Sequence, residues 1–374
     1  MNILNEELLV KNIEHVAQYD ISNNKVFGSA YLVYQEGNLM FEKCYGTLSL
    51  KIYTPITHDT LFRLASMTKP ITSVATLILA DRGLLSLDDR VDKYLPQFND
   101  VRITDGSYND LGKPKNIPTI RHILSHTSGI GSSGGKVQNM TDADRKTIDN
   151  TIDFLIRTGL DYEPGSKQMY SGMGAFDVLT KIIELVSGMD FLSFLEKEIF
   201  MPCNMLDTTF VPNAGQYERL VNMHTCIDDK NAEFEMPAGC IFENFPCTHY
   251  LGGAGLVSTL CDYSKFAKML LNKGKIGNIQ ILREGTFNSL CTPQISKDIM
   301  PGTESWGLGV RVITEETYTH LPAGAFGWSG AYGSHFWIDP TNKIIAVFMK
   351  NSKIDGGAGN ESARGFEQAV YSSF

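Results

Sequence analysis

Ser66-Met67-Thr68-Lys69-Pro70 places a hydroxyl and an amine three residues apart where a helix should begin. Proline is tolerated in a first helical turn and excluded further in, so Pro70 sets the helix start near Ser66. Residues three apart share a helix face, which lets the Ser66 hydroxyl and the Lys69 amine meet. The helix N-terminus adds unpaired N–H groups and partial positive charge, both suited to a developing oxyanion. The chemistry implied is attack by a serine oxygen with an amine as base. Lys69 must then be neutral for part of the cycle. The ordinary lysine pKa is about 10.4, and holding it near 7 costs roughly 4 kcal/mol, which burial or a nearby cation can supply. The plain alternative is a surface Ser-x-x-Lys, a tetrapeptide that occurs often by chance.

Further blocks accompany it. Leu61-Phe62-Arg63-Leu64-Ala65 precedes Ser66, and residues 84–96 follow with Leu84-Leu85-Ser86-Leu87-Asp88-Asp89. Then come Ile120-Arg121-His122-Ile123-Leu124-Ser125-His126-Thr127-Ser128-Gly129 and Glu163-Pro164-Gly165, the latter leading to Tyr170-Ser171-Gly172. Gly252-Gly253-Ala254-Gly255 and Trp306-Gly307-Leu308-Gly309-Val310 lie further on, and Trp328-Ser329-Gly330 later still. In this order, over roughly residues 25–350, the chain resembles the beta-lactamase-related serine hydrolases. That group covers class C beta-lactamases, DD-peptidases and the family VIII esterases, and the third motif is most similar to the last of these.

The resemblance implies roles. Ser66 is the expected nucleophile, Lys69 its base, and Tyr170 the shuttle that carries the proton to the leaving group. The backbone N–H groups of Ser66 and Ala331 are the expected oxyanion hole, where one donor is worth about 3–4 kcal/mol. Trp328, Ser329, Gly330 and Gly172 are the expected substrate-binding residues. Two positions depart from the family pattern. Gly172 stands where a Y-x-N motif has asparagine, and Trp328 stands where beta-lactamases carry lysine. Tryptophan offers area and one N–H but no charge, so both departures favour uncharged acyl substrates. An ester substrate and an acyl-Ser66 intermediate follow. The alternatives are a beta-lactamase or DD-peptidase with Arg311 or Lys350 as carboxylate anchor, an acyltransferase, and a non-catalytic sensor of the same fold.

Other motifs carry less. Gly131-Ser132-Ser133-Gly134-Gly135 matches G-x-S-x-G formally but lacks the preceding strand and following helix of a nucleophile elbow. His122 and His126 read as structural, and His335 as a strand-surface histidine near the third motif. The eight histidines and seven cysteines contain no H-E-x-x-H and no C-x-x-C, so no metal or organic cofactor is expected.

These residues need elements to hold them. Helical spacing covers residues 3–17, 71–81, 120–124, 151–158, 176–186, 262–272 and 361–371. Strand patterns cover 27–34, 39–45, 307–313, 325–329, 335–338 and 344–349, with turns at Glu36-Gly37-Asn38 and Asp339-Pro340-Thr341-Asn342. Strands at both ends with helices between predict an α+β fold of the beta-lactamase/transpeptidase type. An antiparallel sheet flanked by helices would be built from residues 1–84 and 252–374, with an inserted, mostly helical domain at 85–251. The 374 residues carry a formal charge of -9, which excludes nucleic acid as an expected partner. A small acyl substrate is the partner implied, and the pattern leaves the oligomeric state open. No apolar run of membrane-spanning length and no basic leader pattern is seen, and the cysteines are odd in number and scattered. A cytoplasmic location is therefore the expectation.

Overall fold

The computed structural model describes residues 3–51, 53–132, 134–228, 230–234 and 249–374. The chain opens with helix α1 (Glu6–Ser22), whose N-cap Asn5 accepts the Leu8 N–H. Strands β1 (Gly28–Gln35) and β2 (Asn38–Gly46) form a hairpin. Glu36 and Gly37 turn between them with φ of 53° and 82°, the paired left-handed conformation that matches strand twist in a two-residue loop. A short strand β3 (Leu61–Arg63) pairs with β4 (Val257–Thr259). Helix α2 (Thr68–Asp81) follows a 3₁₀ turn at Ala65–Met67.

The middle of the chain supplies α3 (Ile120–Leu124), α4 (Ile148–Thr158) and α5 (Gly174–Ser187). Helix α6 (Leu260–Leu271) then leads into strands β5 (Glu304–Trp306), β6 (Arg311–Ile313), β7 (Phe326–Ser329), β8 (His335–Asp339) and β9 (Ile344–Lys350). Helix α7 (Glu361–Tyr371) closes the described chain, capped by Asn360. One antiparallel sheet runs β5-β6-β7-β8-β9-β1-β2. The pairing of β1 with β9 joins the two ends of the chain.

Side chains alternate across the sheet as a period of two requires. Tyr31, Val33, Trp337, Ala346 and Phe348 pack toward α1 and α7 with Leu9, Ile13 and Phe366. Leu32, Phe336, Ile338, Ile345 and Val347 face the opposite way, into the larger core. That larger core is continuous from the sheet through α2 and α6 to Ile120, Phe176 and Phe194. We therefore propose the division at 84/85 and 251/252 as one of chain path rather than of independently cored units.

Two expectations shift. Residues 307–313 were expected as one strand. Instead β5 and β6 are joined by a tight turn at 307–310, because Gly309 takes φ 79° and donates its N–H to Leu124 O. The Gly-rich stretch 131–135 reads as loop, but residues 134–138 form a short helix. Ser133, the central serine of the decoy motif, lies outside the described residues, while the Ser132 N–H is held by Asp161. Cys240 and Cys247 also lie outside them; the five described cysteines are free thiols. Among the described residues, no helix is long and apolar enough to cross a membrane.

Gly37 and Gly309 separate backbone strain from packing. Both have positive φ, but a Cβ at Gly37 meets nothing within 4 Å, whereas at Gly309 it would stand 1.8 Å from Ser73 Oγ on α2. Gly37→Ala should cost about 1 kcal/mol and Gly309→Ala at least about 3 kcal/mol. Urea unfolding of the two variants checks this; equal losses would contradict it.

Candidate active site

Ser66 sits in the 3₁₀ turn that enters α2, preceded by Ala65 at φ 45°. A non-glycine residue in the left-handed region is strained, and such strain persists where surroundings dictate it. Here β7 supplies the constraint. A Cβ on Gly330 would lie 2.4 Å from Leu64 O, so the third motif presses directly on the backbone before Ser66.

Lys69 is fully buried on the first turn of α2. Its Nζ lies 3.3 Å from Ser66 Oγ, 2.7 Å from Gly172 O and 2.7 Å from Gly253 O. The Tyr170 and Phe176 rings stand 5.0 and 5.3 Å away. Burial lowers its pKa to about 7, opposed by the charge of Asp177. A neutral amine has two hydrogens and one lone pair. The two near carbonyls take both hydrogens, which leaves the lone pair for the Ser66 hydroxyl.

Tyr170 precedes α5. Its hydroxyl accepts the Trp328 indole N–H at 3.0 Å, and the nearby Ser66 hydroxyl acts to lower its pKa. Burial pushes its pKa up to about 12, so it is a protonated phenol at neutral pH. Trp306 and Trp328 wall the tyrosine, with ring centroids at 5.7 and 5.1 Å. The structure thus brings Ser66, Lys69, Tyr170 and Trp328 together.

The remaining expected residues divide. Gly172 contributes its backbone carbonyl to Lys69, in place of a side-chain amide. Ala331 is exposed, and no hydrogen bond among the described residues takes its N–H. The Gly330 N–H is used by Ser334 O at 2.7 Å. Ser329 does not offer its hydroxyl to the cleft. Alternation along β7 turns it to the sheet face opposite Trp328, where it bonds His335 Nδ1 at 2.8 Å.

Several histidine and cation expectations are corrected by burial. His335 is not a surface residue: it is 1% exposed and bonds Glu367 at 3.0 Å through Nε2. Arg311 ion-pairs with Glu367 and Glu304. Lys350 is buried against Asp355 and Ser362. Neither cation is free to anchor a substrate carboxylate. His122 caps its own helix through the Thr119 N–H. His126 accepts the Ser171 N–H at 3.2 Å and packs on Tyr170. Burial and Lys69 hold His126 well below the ordinary histidine range, so it stays a neutral wall. Among the described residues, no three His, Cys, Asp or Glu side chains are grouped to hold a metal.

Three participants were not identified from the sequence: the Gly253 carbonyl, the packing role of Trp306, and Asp177. Paired glycines at 252–253 and a lone acid inside the apolar run Ala175-Phe176-Asp177-Val178-Leu179 were the available signals.

The chain matches the Beta-lactamase family model over residues 11–368 and belongs to that family. It is 26% identical over 344 residues to Protein Rv1367c of Mycobacterium tuberculosis, covering 86% of this chain and 85% of that one. It is 26% identical over 380 residues to esterase EstB of Burkholderia gladioli, covering 94% and 92%. Among solved structures it is similar to EstCE1, a hydrolase with promiscuous acyltransferase activity. The TM-score is 0.83 at 23% identity, over 98% of this chain and 99% of that one. The fold is of the beta-lactamase/transpeptidase type, and the chain is a serine hydrolase of this family.

Burial of Lys69 makes stability depend on pH. The folded amine releases its proton near 7, against 10.5 when unfolded. Between those values the unfolded chain binds more protons, so stability rises with pH. From pH 7 to pH 9 the native chain should gain about 2 kcal/mol relative to Lys69→Met. Urea unfolding at both pH values tests this, and parallel pH dependence in the two proteins would refute it.

Proposed function

We propose that the protein is a carboxylesterase working through an acyl-Ser66 intermediate. The observation that carries this reading is the Lys69 amine, whose two hydrogens are engaged by Gly172 O and Gly253 O while its third position faces Ser66 Oγ. As Ser66 Oγ attacks the ester carbonyl, its proton passes to Lys69 Nζ. The carbonyl oxygen becomes an oxyanion received by the Ser66 and Ala331 N–H groups. Collapse breaks the bond to the alcohol oxygen. Tyr170 gives that oxygen its proton and regains one from Lys69. The Trp328 N–H supports the charge that grows on the Tyr170 oxygen. Water then attacks the acyl-enzyme by the reverse route, releasing the acid and restoring Ser66.

The absence of a cleft-facing cation among Arg311 and Lys350 favours neutral esters over beta-lactams or peptides ending in a carboxylate. Similarity to EstB supports the ester class. Similarity to EstCE1 supports a second outcome, acyl transfer to an alcohol in place of water.

A panel of p-nitrophenyl acetate, p-nitrophenyl butyrate and nitrocefin should show turnover of the esters and little of nitrocefin. Ser66→Ala should lose at least about 10³-fold in rate. An added alcohol that diverts the acyl group would assign transfer. Nitrocefin turnover exceeding ester turnover would overturn the assignment, and stable labelling of Ser66 without turnover would point to a sensor. The ester kcat/KM should rise with pH to a plateau, with its midpoint near the Lys69 value of about 7. Trp328→Phe keeps an aromatic ring and removes the N–H. It should lower kcat about tenfold, the effect of one lost hydrogen bond, with a smaller change in KM. A change in KM alone would assign Trp328 to substrate binding.

A further inference from the structure

The mechanism leaves one buried acid unused. Asp177 projects from α5 at 1% exposure, among apolar residues of the larger core. The Gly252 N–H acts to lower the pKa of its carboxyl group, and Oδ1 has no hydrogen-bond partner among the described residues. The Gly252-Gly253 segment links it to the amine. Gly253 O accepts from Lys69 at 2.7 Å, and Gly252 O accepts from Thr72 Oγ1 at 2.6 Å. A Cβ at Gly252 would stand 2.1 Å from Thr180 Oγ1 and 2.8 Å from Phe176 O. The glycines are therefore wedged between α2 and α5, with Lys69 bound at one end and Asp177 at the other.

The titratable groups around the amine are few. His126 faces it from the loop after α3 and Tyr170 from the segment before α5, both neutral at pH 7. Asp177 is the acid whose charge acts on Lys69. Burial favours the neutral form of each partner and raises the Asp177 carboxyl, while the charge of Lys69 opposes that rise. When Lys69 takes the Ser66 proton, an ammonium forms on a fully buried side chain. An isolated buried cation is strongly disfavoured unless paired.

We propose that Asp177 is a positioning residue for Lys69: its carboxylate is the counter-charge of the ammonium formed during acylation, coupled to it across the Gly252-Gly253 segment. The acyl-group chemistry is unchanged, since the proton moves from Ser66 Oγ to Lys69 Nζ and Asp177 contacts neither substrate nor Ser66. The proposal rests on Lys69 acting as the base in the esterase reading.

Asp177→Asn keeps an acceptor for the Gly252 N–H and cannot ionise. In that variant the acid limb of the ester kcat/KM profile should move to lower pH by at least half a pH unit, and plateau kcat should fall about tenfold with KM less affected. A folded Asp177→Asn protein whose acid limb coincides with the native one would overturn the proposal, because a merely structural carboxyl would not set that limb. A second measurement needs neither catalysis nor the Asp177→Asn fold. In native protein and Lys69→Met labelled with carbon-13 at aspartate carboxyls, one aspartate titrating above pH 6 should shift to higher pH in Lys69→Met, because the linkage is reciprocal. No aspartate signal responding to Lys69→Met would overturn the proposal even if the esterase assays succeed. A responding signal in a protein that never acylates Ser66 would leave the coupling intact and remove the esterase reading alone.

Discussion

A lysine amine fully buried and satisfied by two backbone carbonyls is the constraint around which this structure is arranged. In water Lys69 would be an ammonium at any physiological pH. Enclosed between α2, the Tyr170-Gly172 segment and the Gly252-Gly253 loop, it is fully buried. Gly172 O and Gly253 O accept its hydrogens at 2.7 Å each. Each acceptor comes from a segment that must approach closely, and that requirement explains why glycine occupies 252 and 253. A Cβ at Gly253 would come within 3.3 Å of the amine and 3.2 Å of Met173 O. The sheet serves the same end, because β7 brings Trp328 against Tyr170 while Gly330 presses on Leu64 behind Ser66.

Much of this was readable from residue types and order. The hairpin at Glu36-Gly37, the helix beginning near Pro70, the strands near 326–329, 335–339 and 344–350 and the closing helix all carry local signals. Turn residues, a first-turn proline and apolar periodicity specify them over a few residues each. The joining of β1 to β9 came from the resemblance and from strand-rich ends, not from periodicity, since pairing between Ala30 and Met349 has no local trace.

What was not readable depends on which face a residue shows and on backbone atoms. The motif reading grouped Trp328 with Ser329, but strand alternation sends them to opposite faces. Ser329 then joins His335, Glu367 and Arg311 in a buried polar chain. That chain consumes the very arginine that had been a candidate anchor, and its acid comes from α7, far along the chain. Gly172 read only as the loss of an asparagine side chain. The carbonyl that serves Lys69 belongs to every residue type and leaves no mark in a sequence. Asp177 was hidden for a related reason: an acid in a helix reads as solvent-facing until the packing shows that the helix has no solvent-facing side there.

The two departures from the family pattern then become one physical statement about charge. A lysine at position 328 would place a cation beside the Tyr170 oxygen and favour its phenolate, but it would also disfavour protonation of Lys69 nearby. Tryptophan supplies a hydrogen-bond donor to the same oxygen without that charge. The phenol therefore stays protonated, raised to about 12, while the amine sits near 7. In the mechanism we propose, two groups whose proton affinities are pushed apart by environment divide the acid and base roles between them. With Arg311 and Lys350 bound on the other side of the sheet, neither can lend its charge to the cleft, and charge compensation for the amine falls to Asp177 from beneath. A site so composed has aromatic surface and neutral donors to offer a substrate, and under the proposed esterase reading an acyl group without a carboxylate enters it at least cost in desolvation.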